Sequence, residues 1–393
     1  MSQPSSIVLD IGVQYTKVGY SGTLTPLHVI PTRLYYNNQL ITHTSHCTQL
    51  SFKQWYIVLL TYCKYLYYDV LQCTAATTQQ HPPALVILHY DYTDSFKYAL
   101  LSVLHHMNVQ AICCIDSSVC NTIGSGYNNA LIIDIGYSNT RIMPVYHDTT
   151  VIPSFQLLDI GIQHCIGMLI ELVTINRSDK DKQCIVDELM SDNNVENILL
   201  QHCYLPSAYY TSDTDDRVIH LSNNIDIMLT NEIRSSVCNI FYGNNLNGIN
   251  IVESLLDALL LCDIHVRGHC TQNIVLCGGG SIINNFIHSI REQINHMLTH
   301  NVRYTSIQHL TGRLHINNNL PVSANTLSWC GASLLHALHP DTLSYVPCVH
   351  RYDAKHSIDT INKKPSDMLQ RCECDEVGQM IDLYRHTNSI VQY

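Results

Sequence analysis

The sequence contains one apolar motif twice, and this repeat constrains the fold more strongly than any other feature. Residues 7–17 read IVLDIGVQYTK, and residues 131–141 read LIIDIGYSNTR. Each copy is an apolar strand that ends in Asp-Ile-Gly, so the repeat predicts two lobes built on a common plan. The aligned positions are Asp10 with Asp134, Gly12 with Gly136, Thr16 with Thr140, and Lys17 with Arg141.

The length of the chain agrees with two lobes, and its charge and hydropathy argue against nucleic acid and membranes as partners. A chain of 393 residues is long enough for two separate cores. The net charge of −11, with only 13% charged residues, argues against a basic face for nucleic acid. No apolar run approaches the ~18 residues that a membrane-spanning helix needs. We therefore expect neither nucleic acid nor a membrane as a partner.

The 17 cysteines point to a reducing compartment rather than to a disulfide framework. They are scattered, and the N-terminal MSQPSSIVLD has neither the basic stretch nor the long apolar stretch of a secretory signal. We therefore expect reduced thiols. The close pair Cys372 and Cys374 is not expected to bind metal, since the sequence has no CxxC motif.

Strand and helix patterns alternate along the chain, which indicates an α/β protein. A long helix is predicted from about residue 52 to residue 71, because its apolar residues recur at helical spacing. Residues 179–194 are polar and predicted to be weakly organised, whereas residues 224–241 are predicted to be helical. The triple glycine at 278–280 is predicted to form a turn between a strand and a helix.

The repeated motif has the parts of a phosphate site. A carboxylate at the carboxyl end of a buried strand, such as Asp10 or Asp134, can hold a hydrated Mg²⁺. The glycine two positions later lets backbone N–H groups approach phosphate oxygens, and Lys17 can reach them as a point charge. Two such hairpins facing each other, with the glycine-rich turn on the nucleoside side, would clamp a nucleoside triphosphate.

The alternative is that each copy is an ordinary β-hairpin in which Asp-x-Gly serves only as turn chemistry. A single copy would favour that interpretation. Two copies in register, together with the glycine-rich turn, favour a nucleotide cleft.

Several segments resemble the actin family, within the wider superfamily of actin, sugar kinases and heat-shock ATPases. The resemblance runs from residue 7 to about residue 353. VLDIGVQYTKVGYSG is similar to the family's first phosphate loop, and LIIDIGYSNTRIMPVYHDTTVIP is similar to its second. LCDIHVRGHCTQNIVLCGGGSI is similar to the stretch through the nucleoside loop, and SWCGASLLHAL to the helix that returns to the first lobe.

This resemblance implies an α/β, actin-like two-lobed fold of duplicated ribonuclease-H-like domains, with a nucleotide cleft between the lobes and a strongly reduced small pointed-end subdomain. The first lobe is expected at 1–124 and is completed by 324–356, the second at 125–323, and a C-terminal extension at 357–393. The implied ligand is ATP or ADP with Mg²⁺, and the metal would lie at Asp10 and Asp134. The implied nucleotide-binding residues are Asp10, Gly12, Val13, Lys17, Asp134, Gly136, Ser138, Gly278, Gly279 and Ser281.

Several positions depart from actin's pattern, and they predict slow or absent turnover. Ser117 stands where actin has the Gln that orients the attacking water, and a serine is too short for that role. We therefore expect the cleft to hold nucleotide as a structural ligand. The other replacements are Val13 and Gln14 for Ser and Gly, Tyr137 and Ser138 for Asp and Gly, and Leu199 and Leu200 for Lys and Glu near the adenine and ribose.

The segment before the Trp-containing helix is shortened, which points to a role in assembly. In actin a long insertion there forms the small lobe that contacts the next subunit, but only about twenty residues separate Pro31 from Trp55. With Ser117 and Tyr137, this feature resembles the actin-related proteins that cap the pointed end of dynactin's filament and support dynein-based transport. The implied partners are actin-like filament subunits and other pointed-end subunits of dynactin, in the cytoplasm and cytoskeleton.

Two alternatives stay open. The first is a nuclear actin-related subunit of a chromatin-remodelling complex, although nuclear members often carry insertions and this chain is trimmed. The second is a phosphotransferase of the sugar-kinase type, which would need an acidic general base. Asp159 is the nearest candidate for that base, but actin-family chains carry Asp there too.

Overall fold

The computed structural model describes residues 6–43, 50–73, 80–175, 177–191, 194–207, 215–221, 226–243, 245, 247–317, 319–338 and 346–347. The strands are β1 (Ile7–Ile11), β2 (Tyr15–Tyr20), β3 (His28–Pro31), β4 (Leu34–Tyr36), β5 (Gln39–Ile41), β6 (Ala84–Leu88), β7 (Ala111–Asp116), β8 (Asn129–Ile135), β9 (Thr140–Tyr146), β10 (Thr149–Thr150), β11 (Gln156–Leu158), β12 (Arg217–His220), β13 (Asp226–Leu229), β14 (Ile274–Cys277), β15 (Ile316–Asn317) and β16 (Val346–Pro347). The α-helices are α1 (Phe52–Lys64), α2 (Asp94–His106), α3 (Ser117–Gly124), α4 (Ile162–Thr174), α5 (Asp179–Met190), α6 (Asn194–His202), α7 (Asn231–Ser236), α8 (Ile251–Leu261), α9 (Ile264–Cys270), α10 (Phe286–His300) and α11 (Leu327–Leu338).

The chain divides into two compact units. One contains residues 1–124 and the segment from residue 328, and the other contains residues 125–327. The sheet of the first unit has the strand order β16-β7-β6-β1-β2-β3. In it, β1 pairs antiparallel with β2 and parallel with β6, and β6 pairs parallel with β7.

The second unit repeats this pairing plan. Its sheet has the order β10-β9-β8-β14-β15, with β11 paired to β9. Here β8 pairs antiparallel with β9 and parallel with β14, and β14 pairs parallel with β15. In both units the strand that carries Asp-Ile-Gly therefore forms a hairpin on one side and a parallel pair on the other, which confirms the common plan predicted from the repeat.

The continuous apolar run of β1 is explained by cover on both faces of the sheet. Leu9 packs in a cluster with Trp55 of α1 and Phe96 of α2. Val8 points the other way and packs with Trp329 of α11. A strand buried on both faces does not alternate apolar and polar residues, so its sequence reads as an apolar block.

Two secondary-structure predictions were wrong. Residues 179–190 form α5, because Ser178 caps the helix and two apolar residues, Ile185 and Leu189, are buried in the core of the second unit. Residues 226–229 form β13, because buried and exposed side chains alternate there. The triple glycine lies between β14 and α10, as predicted, and it leads into a 3₁₀ turn at Gly279–Ile282. Asn285, with a φ of +63°, separates that turn from the helix.

The predicted extension at 357–393, which includes Cys372 and Cys374, lies outside the described residues. All thirteen cysteines in the described ranges are free thiols. In the same ranges, no helix combines the length and the apolar character needed to cross a membrane.

One helix contact gives a test of the fold of the first unit. Gly331 of α11 lies against the carbonyl oxygen of Cys120 in α3, so an added Cβ would overlap that backbone. We expect Gly331→Ala to lower the free energy of unfolding, measured in urea, by about 2 kcal/mol or more, because one of two packed helices must shift.

Gly167→Ala is the matched control. Gly167 also lies inside a helix, α4, but nothing lies within 4 Å of its added Cβ. Because Ala favours helix more than Gly does, this change should raise stability by up to ~1 kcal/mol. Equal effects of the two substitutions would contradict the close packing of α11 on α3.

Candidate functional site

The first copy of the motif forms the tight β1–β2 hairpin. Asp10 lies directly opposite Lys17, and the distance from Lys17 Nζ to Asp10 Oδ2 is 2.9 Å. The turn is closed by a 3.0 Å hydrogen bond from the Gly12 N–H to the Tyr15 carbonyl. A Cβ at Gly12 would lie 2.7 Å from the same carbonyl oxygen, so this turn requires glycine.

Asp10 is a buried carboxylate whose charge is balanced inside the first unit. Its Oδ2 also accepts a 2.8 Å hydrogen bond from Ser328 Oγ in the first turn of α11. Burial alone would raise the pKa of Asp10, but Lys17, His89 and the two hydrogen bonds hold that pKa below its usual value. Lys17 is therefore held on Asp10.

The second copy forms the β8–β9 hairpin with the same register. Asp134 lies opposite Arg141, with 3.5 Å between Arg141 Nη1 and Asp134 Oδ2. The Gly136 N–H donates a 2.9 Å hydrogen bond to the Asn139 carbonyl, which is the same turn bond as in the first hairpin. In each unit, a basic side chain thus faces the repeated aspartate.

The glycine-rich turn follows β14, which lies parallel to β8 beside the second hairpin. Gly278 has a φ of +81°, and a Cβ there would overlap the Asp134 carboxylate and the Ile135 carbonyl. Ser281 Oγ donates a 2.8 Å hydrogen bond to the Gly278 carbonyl, so its hydroxyl is used within the turn. An added Cβ at Gly279 would meet nothing within 4 Å. The second unit therefore brings Asp134 and this turn together.

Two buried oxygens at the hairpins mark where a ligand could bind. Asp10 Oδ1 and Ser138 Oγ have no hydrogen-bond partner among the described residues. A buried polar atom without a partner is unfavourable unless a ligand or water satisfies it. Val13, by contrast, adds only an apolar, half-buried side chain to the first turn.

His89 and Asp116 lie at the same end of the first sheet as Asp10, where β1, β6 and β7 terminate, although the repeated motif does not include them. Asp10 and Asp116 lie at the carboxyl ends of β1 and β7, and His89 directly follows β6, which lies between those strands. Ser117 Oγ lies 2.9 Å from His89 Nδ1. Proteins with α/β folds bind ligands at the carboxyl ends of their parallel strands. A polar residue at or directly after the end of a predicted strand is therefore the signal in the sequence that could have identified both His89 and Asp116.

Asp116 is buried in a less favourable setting than Asp10. Its Oδ1 accepts a 2.7 Å hydrogen bond from the Ser118 N–H, whereas Oδ2 has no partner among the described residues. Burial raises the pKa of Asp116 to about 6, although its hydrogen bonds with Ser118 oppose the shift.

The sequence suggested site roles for three further residues, Leu199, Leu200 and Asp159, and the structure supports none of these roles. Leu199 is fully buried in the core of the second unit, and Leu200 packs against that core. Leu199 is therefore a core residue and does not make a ligand surface more apolar. Asp159 lies exposed on a bend after β11.

The family model described as Actin matches residues 1–178 and 204–342. These ranges include both hairpins, the glycine-rich turn and α11. The chain belongs to the actin family. Its α/β units are those of the actin-like two-lobed fold.

Several relatives carry actin-related names, at low identity. Actin-related protein 10 of Dictyostelium discoideum is 23% identical over 402 residues, which cover 85% of this chain and 83% of that protein. Actin-related protein 8 of Oryza sativa subsp. indica is 22% identical over 321 residues, which cover 75% of this chain and 59% of that protein. Actin-like protein ARP6 of Eremothecium gossypii is 24% identical over 189 residues, 41% of this chain and 44% of that protein.

Actin-family proteins generally bind ATP or ADP with a divalent metal ion, and the residues of this chain fit such a ligand in part. At its hairpin, each unit offers a buried oxygen without a partner among the described residues: Asp10 Oδ1 in the first unit and Ser138 Oγ in the second. Lys17 already neutralises Asp10, and no cluster of three or more His, Cys, Asp or Glu side chains in the described part of the chain could hold a metal ion. Mg²⁺ would therefore be held mainly by phosphate and water.

The ion pair in the first hairpin can be tested by removing one partner. We expect Lys17→Met to lower the free energy of unfolding by about 3 kcal/mol, because the buried Asp10 carboxylate loses its cation. The double variant Asp10→Asn/Lys17→Met should recover part of that loss. Urea denaturation of the three proteins measures both effects.

A surface pair serves as the control for Lys17. Arg303 Nη2 lies 2.7 Å from Asp257 Oδ2, but the arginine side chain is 59% exposed. Arg303→Met should therefore change the free energy of unfolding by less than ~1 kcal/mol. If Lys17→Met has no larger effect than Arg303→Met, the buried pair does not stabilise the hairpin.

Asp116 predicts a specific pH dependence. Its pKa is raised in the folded state, so between about pH 4 and pH 6 the folded chain holds the proton more tightly than the unfolded chain. Stability from this residue is therefore present at low pH and is lost as the pH rises through 6. Asp116→Asn should be more stable than the wild type by about 3 kcal/mol at pH 7.5, and the difference should shrink at pH 4.5. A difference that does not change with pH would contradict the raised pKa.

Proposed function

We propose that this actin-family chain is a non-catalytic structural subunit that caps the pointed end of the actin-like filament of dynactin. In that role it would support dynein-based transport along microtubules in the cytoplasm. Its partners would be the actin-like filament subunits and the other pointed-end subunits of dynactin. The observation that carries the proposal is the short connection between β3 and α1.

That connection is too small to form a subdomain. Between Pro31 at the end of β3 and Phe52 at the start of α1, the described residues form the three-residue strands of the β4–β5 hairpin. The hairpin turns at Asn37 and Asn38, whose φ values of +50° and +62° suit a tight two-residue turn. A subunit with this connection offers little surface for a further subunit at that end, as expected of a cap.

The surroundings of Ser117 support a non-catalytic role. Its hydroxyl is buried and lies within hydrogen-bond distance of His89. A short side chain held in this way cannot orient a water molecule at a distance, as the longer glutamine does in actin. We propose that any bound nucleotide serves as a structural ligand.

A nuclear role in a chromatin-remodelling complex is the second candidate. The similarity to proteins named Actin-related protein 8 and Actin-like protein ARP6 favours it, whereas the trimmed connection after β3 favours capping. The sugar-kinase alternative has no support from Asp159, because that residue is exposed and the proposed general base needs a position in a site.

Filament growth provides the test of capping. The purified full chain should stop elongation at the pointed end of filaments made from dynactin's actin-like subunit, while the opposite end continues to grow in fluorescence microscopy. The chain alone should remain in the supernatant on sedimentation, because its shortened connection cannot join a further subunit.

Long filaments formed by the chain alone would contradict capping. Affinity purification from native cells then separates the two assemblies. Dynactin filament and pointed-end subunits should be recovered with the chain, and recovery of a remodelling ATPase in their place would favour the nuclear alternative.

A further inference from the structure

A cavity of about 480 Å³ lies in the first unit, between one face of α1 and the chain that leaves β3. On the helix side it is lined by Val58, Tyr62 and Tyr65, which recur every three or four residues and therefore share one helical face. On the other side it is lined by Arg33 and Tyr35. Three tyrosines thus surround a space large enough for one or two side chains.

The floor of this cavity is fixed by hydrogen bonds. Tyr62 is buried, and its hydroxyl donates a 2.6 Å hydrogen bond to Thr16 Oγ1 in β2. Thr16 Oγ1 also lies 2.8 Å from Thr32 Oγ1, and Thr32 stands in the chain between the lining residues Pro31 and Arg33. Because these bonds tie α1 to the strands, the cavity is preformed and a ligand need not open it.

The rim of the cavity is apolar and open to solvent. Tyr35 is 56% exposed and Tyr65 is 45% exposed. Leu40 lies directly opposite Tyr35 across the β4–β5 hairpin and is exposed as well. The exposed apolar surface therefore continues beyond the cavity, which suits a polypeptide better than a small molecule.

Arg33 gives the cavity a charge opposite to that of the chain. The chain carries a net charge of −11, and the exposed Arg33 guanidinium forms no hydrogen bond or ion pair with any residue in the described ranges. A guanidinium beside aromatic rings recognises a carboxylate next to an apolar side chain, since it binds the carboxylate with two parallel hydrogen bonds.

We propose that this cavity is a docking site for an acidic, apolar segment of a partner protein. An aromatic or aliphatic side chain of the segment enters between Tyr35 and Tyr65, and a neighbouring Asp or Glu pairs with Arg33. The site goes beyond the capping role and stands whether or not that role holds, because it rests on the charge and shape of the cavity. Through Tyr62 and Thr16 it contacts the strand that carries Lys17.

Selection from a displayed library of random dodecapeptides tests the site. The immobilised full chain should enrich peptides in which Asp or Glu adjoins Phe, Tyr or Leu. An enriched peptide, synthesised with a fluorescent label, should bind the Arg33→Gln chain about tenfold more weakly in anisotropy measurements. Binding should also weaken between 50 and 300 mM salt, because a charge pair contributes to it.

Arg313→Gln is the matched control, since Arg313 is an exposed arginine of the second unit and its replacement changes the net charge equally. It should alter the affinity less than twofold. Enriched peptides without acidic residues, or equal binding by the two variants, would overturn the proposal. Self-association of the wild-type chain that is lost in Arg33→Gln, without peptide binding, would also overturn it, because a second copy would then be the occupant.

Discussion

The ion pair between Asp10 and Lys17 is the interaction on which the carboxyl end of β1, and with it the β1–β2 hairpin, depends. A carboxylate buried this deeply is tolerated only when cations and hydrogen bonds balance its charge. Lys17 supplies the cation from the neighbouring strand, and Ser328 supplies a hydrogen bond from a helix 318 residues further along the chain. The pair therefore fixes the hairpin and also anchors the returning helix α11 on the first sheet.

In the second unit Arg141 balances the charge of Asp134 in the same way, at a longer distance of 3.5 Å. In both hairpins the charge of the repeated aspartate is balanced by the chain itself. The unpartnered oxygens of Asp10 and Ser138 still leave places for a ligand. The hydroxyl of Ser117, however, lies within hydrogen-bond distance of His89. At this position the first unit therefore has a short, bonded side chain and not a long one that could orient water.

The features predicted from the sequence are those set by strong local patterns. The repeat predicted the two-unit plan, and the apolar spacing of residues 52–71 predicted the helix that α1 begins and the π-helical residues Tyr65–Val70 continue. The registers that place Lys17 opposite Asp10 and Arg141 opposite Asp134 came only from the structure. The helix α5 was missed because most of its residues are polar and only a few, such as Ile185 and Leu189, reach the core. His89 and Asp116 were missed because they meet Asp10 only when β1, β6 and β7 lie side by side. Leu199 could not be placed in the core from its sequence neighbours alone.

Steady-state phosphate release from Mg-ATP tests most directly whether the two hairpins serve architecture rather than turnover. The purified full chain should release phosphate no faster than a protein-free blank, while filamentous actin measured in parallel gives a clear signal. This result is expected because the short Ser117 side chain lies within hydrogen-bond distance of His89 and Lys17 is held on Asp10. Sustained turnover that disappears in the Asp134→Asn chain would contradict a purely architectural role.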